Sequence, residues 1–477
     1  MSNSSPLTET IAAIATPCGV GGIAVLRISG ANATAICQQH LKNSKGERLA
    51  LKPRTAHFAL FNNADEVIDE VVATYFPAPH SYTGEDVVEI SCHGSTYIQE
   101  ALLQHLIADG ARLATPGEFT QRAFLNGRLN LSQAEAVADL IDSTNAASGK
   151  LAISQLRGGY AIRLGELRSQ FVDLVSLLEL ELDFSEEDVE FADRSRLRNL
   201  LTDIRQSCAD LAETFHQGNA IKNGVPVAIL GAPNAGKSTL LNALVGEERA
   251  IVSDIPGTTR DTIEDTMTYQ GITYRFIDTA GIRNTTDTIE AEGVRRSMNS
   301  LKKAQVVLYM VDASTPTEQL AEELSHLQQQ TQWDNKLLML IVNKIDRIAP
   351  GSEACVTQHS LNKLNEMLPY PIKKEHLFAI SAKQRDGLDQ LLQALQQTYH
   401  SDIDFTQPML TNLRHYEAMQ HIVEACDQAY ESLEQQIPAD LVVIDIREAL
   451  YYLGTITGEI SSNDILGSIF SRFCIGK

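Results

Sequence analysis

Eight residues, Gly231-Ala-Pro-Asn-Ala-Gly236-Lys237-Ser238, have the types and spacing to hold a polyphosphate. The pattern G-x(4)-G-K-[ST] lies between an apolar run, Val227-Ala-Ile-Leu230, and a helical Thr239-Leu-Leu-Asn-Ala-Leu-Val245, which is the strand, loop and helix setting it requires. Phosphate oxygens need backbone N–H donors converging on one point, and glycine lets the chain wrap that closely. The helix that follows adds its own amides and dipole. The cradle is therefore expected from Asn234, Ala235, Gly236, Lys237, Ser238 and Thr239. Lys237 is expected to neutralise charge on the β- and γ-phosphates, and the Ser238 hydroxyl to ligate Mg²⁺.

Three further motifs each end an apolar, strand-like run. Asp278-Thr279-Ala280-Gly281 suits a carboxylate reaching Mg²⁺ through water and an amide on the γ-phosphate. In Asn343-Lys344-Ile345-Asp346, the Asp346 carboxylate can accept from both N1–H and the exocyclic amine of guanine, whereas adenine offers neither donor there. Ser381-Ala382-Lys383 supplies a backbone amide for the guanine carbonyl. Any one of these alone is weak. All four, at the carboxyl ends of strands where α/β sheets bind ligands, specify GTP as the nucleotide.

Between the phosphate loop and Asp278 lies Val252-Ser-Asp-Ile-Pro-Gly257-Thr258-Thr259-Arg260-Asp261, where a threonine hydroxyl would complete the Mg²⁺ shell, making this the expected first switch. Ile282 stands where many GTPases carry a glutamine that orients water, and isoleucine cannot do so. Hydrolysis must recruit another polar group or be slow. Glu290 is a reachable carboxylate, with Glu292 the competing choice, and Arg283 or Arg260 are candidates to neutralise transition-state charge.

The elements that must position these groups fall into about three domains over 477 residues. Residues 1–118 mix strand-like runs (10–15, 23–28, 71–76, 87–90) with helical stretches near 31–41 and 96–108, an α+β pattern. Arg27 and Glu89 are charges inside apolar strands, ordinarily a solvated face. From Ser132 the apolar period becomes helical. Leu167, Phe171, Leu174, Leu178 and Leu182 form one stripe; Leu197, Leu201, Ile204, Cys208, Leu211 and Phe215 form a second. A third, Leu413, Tyr416, Met419, Val423, Cys426, Tyr430 and Leu433, follows the nucleotide motifs, with another helix around 439–457. Helical segments on both sides predict an α/β domain, 222–400, inserted into one discontinuous helical bundle of 119–221 and 401–477. Ile469, Phe470 and Phe473 predict a docked tail that presents Cys474 and Lys477 to a site.

Seven scattered cysteines without a C-x-x-C pair indicate neither a disulfide framework nor a zinc knuckle. No apolar run approaches the length of a membrane span and no leader pattern is evident, so a cytoplasmic protein is expected. A net charge of −22 opposes non-specific binding to nucleic acid, so a nucleic-acid partner must be met by a local site or through another protein.

The whole chain resembles one family, the tRNA modification GTPases MnmE (TrmE), which act on the wobble uridine. The resemblance rests on residues 231–238 with Asn234, Gly257-Thr-Thr-Arg-Asp261, Asp278-Thr-Ala-Gly281 with an apolar next residue, and the terminal Phe473-Cys-Ile-Gly-Lys477. Ser81-Tyr-Thr-Gly-Glu-Asp86, Pro116-Gly-Glu-Phe119 and Ala123-Phe-Leu-Asn126 add to it. It implies an N-terminal domain that dimerises and binds a formyl- or methylene-tetrahydrofolate, at positions matched by Arg27, Glu89, Arg128 and Lys477. That displaces the solvated-face reading of Arg27 and Glu89. Lys is the more usual residue at position 128 in this family, and arginine there keeps the charge while changing its geometry. The resemblance also implies GTP cleavage between two facing G domains with K⁺ in place of an arginine finger. Asn234, Ser253, the Ile255 carbonyl and Thr258 match the K⁺ positions, Ser238 and Thr259 match Mg²⁺, and Glu290 matches the water-orienting carboxylate. The implied partners are tRNA and an FAD-dependent protein of the MnmG (GidA) type. The rival reading is a GTP-regulated scaffold for ribosome assembly, which would more often carry a basic RNA-binding module.

Overall fold

The computed structural model of the chain describes residues 9–64, 66–183, 194–246, 265–277, 301–329, 333, 336–347, 358–399, 407–460, 463–471 and 473–477. Alternating apolar residues build the first sheet. Its elements are β1 (Ile11–Ile14), β2 (Ile23–Ser29), α1 (Ala33–His40), β3 (Leu41–Lys42), β4 (Ala56–Asn63), β5 (Glu66–Phe76), β6 (Val87–His93), α2 (Thr96–Ala108) and β7 (Arg112–Leu113). Seven strands run in the order β3-β4-β5-β6-β2-β1-β7. Because side chains alternate along a strand, Ala24, Leu26 and Ile28 of β2 join Val88, Ile90 and Cys92 of β6 in a core shared with Cys37 of α1 and Leu102 of α2. Arg27 and Glu89 occupy the intervening positions and sit directly opposite each other across the two strands. The expected strands and helices are present. The sequence pattern did not announce β4, whose run Ala-His-Phe-Ala-Leu-Phe-Asn-Asn does not alternate cleanly.

Helices follow: α3 (Glu118–Leu125), α4 (Leu131–Ile141), α5 (Ala146–Leu156), α6 (Gly159–Asp183) and α7 (Arg194–Glu213). Helix α4 opens on a reciprocal cap in which Asn130 Oδ1 accepts from Gln133 N at 2.8 Å and Gln133 Oε1 accepts from Asn130 N at 3.1 Å. These bonds satisfy backbone donors that a helix start would leave unpaired. Leu167, Phe171, Leu174 and Leu178 on α6, and Leu197, Leu201, Ile204 and Cys208 on α7, are fully buried, as their spacing requires.

The nucleotide motifs lie on α8 (Phe215–Asn223), β8 (Val225–Gly231), α9 (Lys237–Val245), β9 (Asp265–Tyr269), β10 (Ile272–Phe276), β11 (Val306–Asp312), α10 (Thr317–Gln329), β12 (Leu337–Asn343), α11 (Gln358–Met367), β13 (Leu377–Ala379) and α12 (Leu388–Tyr399). The sheet order is β13-β12-β11-β8-β10-β9, and every pairing is parallel except the β9 and β10 hairpin. Both faces are buried, so the strands read as continuous apolar runs. The chain ends with α13 (Leu413–Glu434), α14 (Ala439–Thr457) and α15 (Asn463–Phe470).

The chain forms two compact units. One comprises residues 1–142, 152–212 and 414–477; the other comprises 143–151 and 213–413. The second unit thus runs from Glu213 to Leu413 and takes in Ser143–Leu151. Its outer segments are tied to it by specific contacts. Leu410 N donates to Thr214 Oγ1 at 2.9 Å, Asn145 Nδ2 donates to Thr273 Oγ1 at 3.0 Å, and Leu151, Ile221 and Met409 share a small core. The expected stripe on α13 needs correction. Its buried face is His415, Ala418, Met419, Ile422, Ala425, Cys426, Ala429 and Leu433, whereas Leu413 and Tyr430 are exposed. Large apolar residues alone misplace that face, because Ala418, Ala425 and Ala429 are part of it.

A buried ion cluster joins α4 to the start of α13. Glu135 Oε1 lies 3.0 Å from Arg414 Nη2, and Oε2 lies 2.8 Å from His415 Nε2. Arg414 Nη1 also donates to Thr455 O at 2.6 Å. Burial alone would push the Glu135 carboxyl up, but His415 and Arg414 outweigh it and hold the group at about 2. A folded value below the unfolded one stabilises above the unfolded pKa, and that stability is lost as pH falls through the folded one. The shift corresponds to about 3 kcal/mol at neutral pH. Glu135→Gln is expected to lower the denaturant midpoint of the full chain at pH 7. Its deficit relative to wild type should close as pH falls from about 4.5 towards 2. A deficit constant across that window would show that charge is not what the cluster contributes.

Candidate functional site

The phosphate loop is shaped by two close backbone approaches. Gly231, at φ +136°, passes so near β11 that an added Cβ would stand 2.0 Å from Met310 O. Gly236, at φ +106°, caps α9, and a Cβ there would stand 2.2 Å from Asn343 Nδ2. Both positions need φ values and clearances that only glycine supplies. Asn234, at φ +64°, is the loop's exposed, left-handed tip. Lys237 Nζ donates to Gly231 O at 2.7 Å and Ala232 O at 2.8 Å, which aims its ammonium across the loop. Burial holds that ammonium below the usual lysine range, so an arriving anion relieves a desolvated cation. Ser238 and Thr239 follow in the first turn of α9, where the helix dipole favours negative charge.

The base side is tied to the phosphate side by one amide. Asn343, 3% exposed, donates from Nδ2 to Ala235 O at 2.8 Å and accepts at Oδ1 from Ala382 N at 3.0 Å. Asp346 Oδ1 accepts from Ser381 Oγ at 2.7 Å, which orients the carboxylate expected to read guanine. Ser381 is buried and Lys383 is exposed. Lys344, at φ +66°, pairs with Asp312 at 2.7 Å. The sequence reading missed Asp312, although a carboxylate at a strand end followed two residues later by serine is a turn signal. The structure therefore brings residues 234–239, 343–346 and 381–383 to one end of the sheet. Ser253, Ile255, Gly257, Thr258, Thr259, Arg260, Asp278, Thr279, Ala280, Gly281, Arg283, Glu290 and Glu292 lie outside the described residues.

A second constellation lies on the first sheet. Arg27 Nε donates to Glu89 Oε1 at 2.9 Å, and its guanidinium lies 5.0 Å from the Tyr82 ring centroid and 5.7 Å from that of Phe119. The pair is not on a solvated face, since the side chains are only 14% and 30% exposed. Phe470 and Phe473 are buried against Leu131 and Ala134, and the chain beyond them crosses the start of α3. There Phe119 N donates to Lys477 O at 3.2 Å, and Gly476 O accepts from Arg27 Nη1 at 3.5 Å. Burial and the Arg27 charge hold the Lys477 ammonium below its ordinary range, against the opposing pull of Glu89. Arg128 is exposed, and its backbone N donates to Ala123 O at 2.8 Å. The framework beneath is a buried network. Arg122, 2% exposed, meets both Glu85 oxygens at 3.1 and 3.2 Å and Glu118 Oε1 at 2.9 Å, which fixes the Tyr82 loop against α3.

A mainly parallel sheet carrying a glycine phosphate loop, with Asn343, Asp346 and Ser381 gathered at the same end, defines a P-loop guanine-nucleotide hydrolase, here within a multidomain chain with an α+β N-terminal domain and a helical bundle. The chain matches the family described as MnmE helical domain over residues 131–474, and GTP-binding protein TrmE N-terminus over residues 10–128. It is 48% identical to a tRNA modification GTPase MnmE of Parabacteroides distasonis, over 98% of this chain and 100% of that one. It is likewise 48% identical to the protein of that name from Bacteroides thetaiotaomicron, over 98% of this chain and 99% of the relative. Among solved structures, Era bound to MgGDPNP and ribosomal RNA is 27% identical over 42% of this chain and 65% of its own, at a TM-score of 0.27, too low to bear on function. The chain belongs to the MnmE (TrmE) family of tRNA modification GTPases, and it is a GTP hydrolase. Among the described residues no helix is long and apolar enough to cross a membrane.

Proposed function

We propose that this chain is a K⁺-dependent GTPase. With an FAD-dependent partner of the MnmG type, it installs aminomethyl or carboxymethylaminomethyl groups at C5 of the wobble uridine of certain tRNAs, with a tetrahydrofolate as one-carbon donor. The observation that carries the nucleotide part is the Asn343 bridge, which makes the phosphate loop and the guanine loop one rigid receptor. Residues 234–239 hold the phosphates, Asp346 and Ala382 read the base, and Glu290 orients the attacking water in place of the glutamine that Ile282 replaces. Mg²⁺, held by Ser238 and Thr259, and K⁺, held by Asn234, Ser253, the Ile255 carbonyl and Thr258, supply positive charge where the phosphates develop negative charge. Asn234 suits the K⁺ role, because it is exposed at a left-handed position of the phosphate loop.

The first sheet carries a donor set suited to a folate. Glu89 can accept from paired N–H groups of a pterin, while Arg27, beside the Tyr82 and Phe119 rings, and Lys477 set positive charge around it. Arg128 joins them by family position. A folate bound there supplies a one-carbon unit to the modification. We assign residues 1–118 to this folate-binding and dimerising part, 119–221 and 401–477 to the helical part, and 222–400 to the GTPase part, in a homodimer of the cytoplasm.

The scaffold reading would leave the N-terminal constellation without a task. Nucleoside analysis of tRNA from cells lacking this chain tests the proposal. Wobble uridines should lose their C5 aminomethyl substituents, and restored chain should return them. Unchanged wobble uridines would favour the scaffold.

A further inference from the structure

We propose that Asp312 is a positioning residue for guanine-nucleotide binding, holding the Lys344 side chain across the end of the sheet before the nucleotide arrives. Asp312 ends β11 in direct register with Asn343, the last residue of β12. Its Oδ2 accepts from Lys344 Nζ at 2.7 Å. Its Oδ1 accepts from Ser314 N at 3.0 Å and Ser314 Oγ at 2.8 Å, so both oxygens are committed and the carboxylate cannot swing away. Lys344 itself sits at φ +66°, a conformation that residues other than glycine keep only where the surroundings over-determine it.

The bland alternative is a surface ion pair of little consequence. Three observations oppose it. The Lys344 and Asp312 side chains are only 23% and 31% exposed. Burial pushes the Asp312 carboxyl up, yet Lys344 and Ser314 outweigh it and hold the group at about 2. The pair also lines one cavity with Pro233, Asn234 and Ala235, which places it beside the phosphate loop. With Asn343 tied to Ala235 and Ala382, and Asp346 tied to Ser381, three of the four residues in this motif are each fixed by a specific partner. A lysine ordered in advance loses less rotamer freedom when a ligand binds.

The test is a double-mutant cycle on the full chain, with GDP affinity as the readout. Asp312→Ala and Lys344→Ala are each expected to weaken GDP binding by about tenfold, and the double variant should lie within about twofold of Lys344→Ala alone. Contributions that act independently of each other would instead multiply the two losses. Ser314→Ala, which removes the hydroxyl bond to Oδ1 and keeps the backbone one, should give a smaller loss in the same direction and serves if Asp312→Ala does not fold. Wild-type GDP affinity in Asp312→Ala, or in Ser314→Ala where Asp312→Ala does not fold, overturns the proposal, as do losses that multiply in the double variant. The readout is nucleotide affinity, so it stands apart from whether tRNA is modified.

Discussion

Lys237→Ala is expected to reduce GTP turnover at saturating nucleotide by about a hundredfold or more, the scale seen when a preorganised charge is removed from a developing anion. The ammonium is held on the Gly231 and Ala232 carbonyls and is partly desolvated, so an arriving phosphate would meet a charge that need not first be stripped of water. Lys237→Arg should not restore the rate, because a planar fork cannot replace a compact charge in a loop of this curvature. Phosphate release under single-turnover conditions, alongside an unchanged unfolding midpoint, is the measurement. Turnover within about threefold of wild type would mean that the charge against the phosphates comes from elsewhere.

Gly231→Ala should be the most damaging single-methyl change in the nucleotide unit. The residue ends β8 in register with Met310 of β11, and the new methyl would stand 2.0 Å from the Met310 carbonyl oxygen at the centre of the sheet. Neither partner is the free end of a flexible side chain. Backbone strain at φ +136° adds to the clash, and the expected loss is about 3 kcal/mol or more. Denaturant unfolding of the full chain should show the nucleotide unit melting early, with GDP affinity lost in parallel. A near-wild-type midpoint would mean that β8 and β11 separate at little cost, contrary to the pairing on both sides of them.

Much of this was legible without coordinates. The four strand-end motifs name the nucleotide because phosphate and guanine make fixed demands on amides, a lysine and a carboxylate. The stripes on α6 and α7 announce their buried faces because leucine and phenylalanine dominate them. Legibility failed where the signal was small or distant. The buried face of α13 includes Ala418, Ala425 and Ala429, which a count of large apolar residues passes over. Arg27 and Glu89 looked solvated because nothing in either strand shows that β2 and β6 place them opposite each other, or that Tyr82, Phe119 and the Gly476 carbonyl close around them.

The linear order of residues thus determined which chemistries this protein carries: a triphosphate cradle, a reader of guanine, and a tail ending in Cys474 and Lys477. Those are properties of short segments, set by side-chain type and local backbone freedom. Only the folded chain decided which segments meet. Asn343 reaches the phosphate loop across 108 positions, Arg27 meets Gly476 across 449, and Asp312 finds Lys344 across 32. Such partnerships depend on sheet register and helix packing, where burial of many apolar groups together outweighs any one residue's preference.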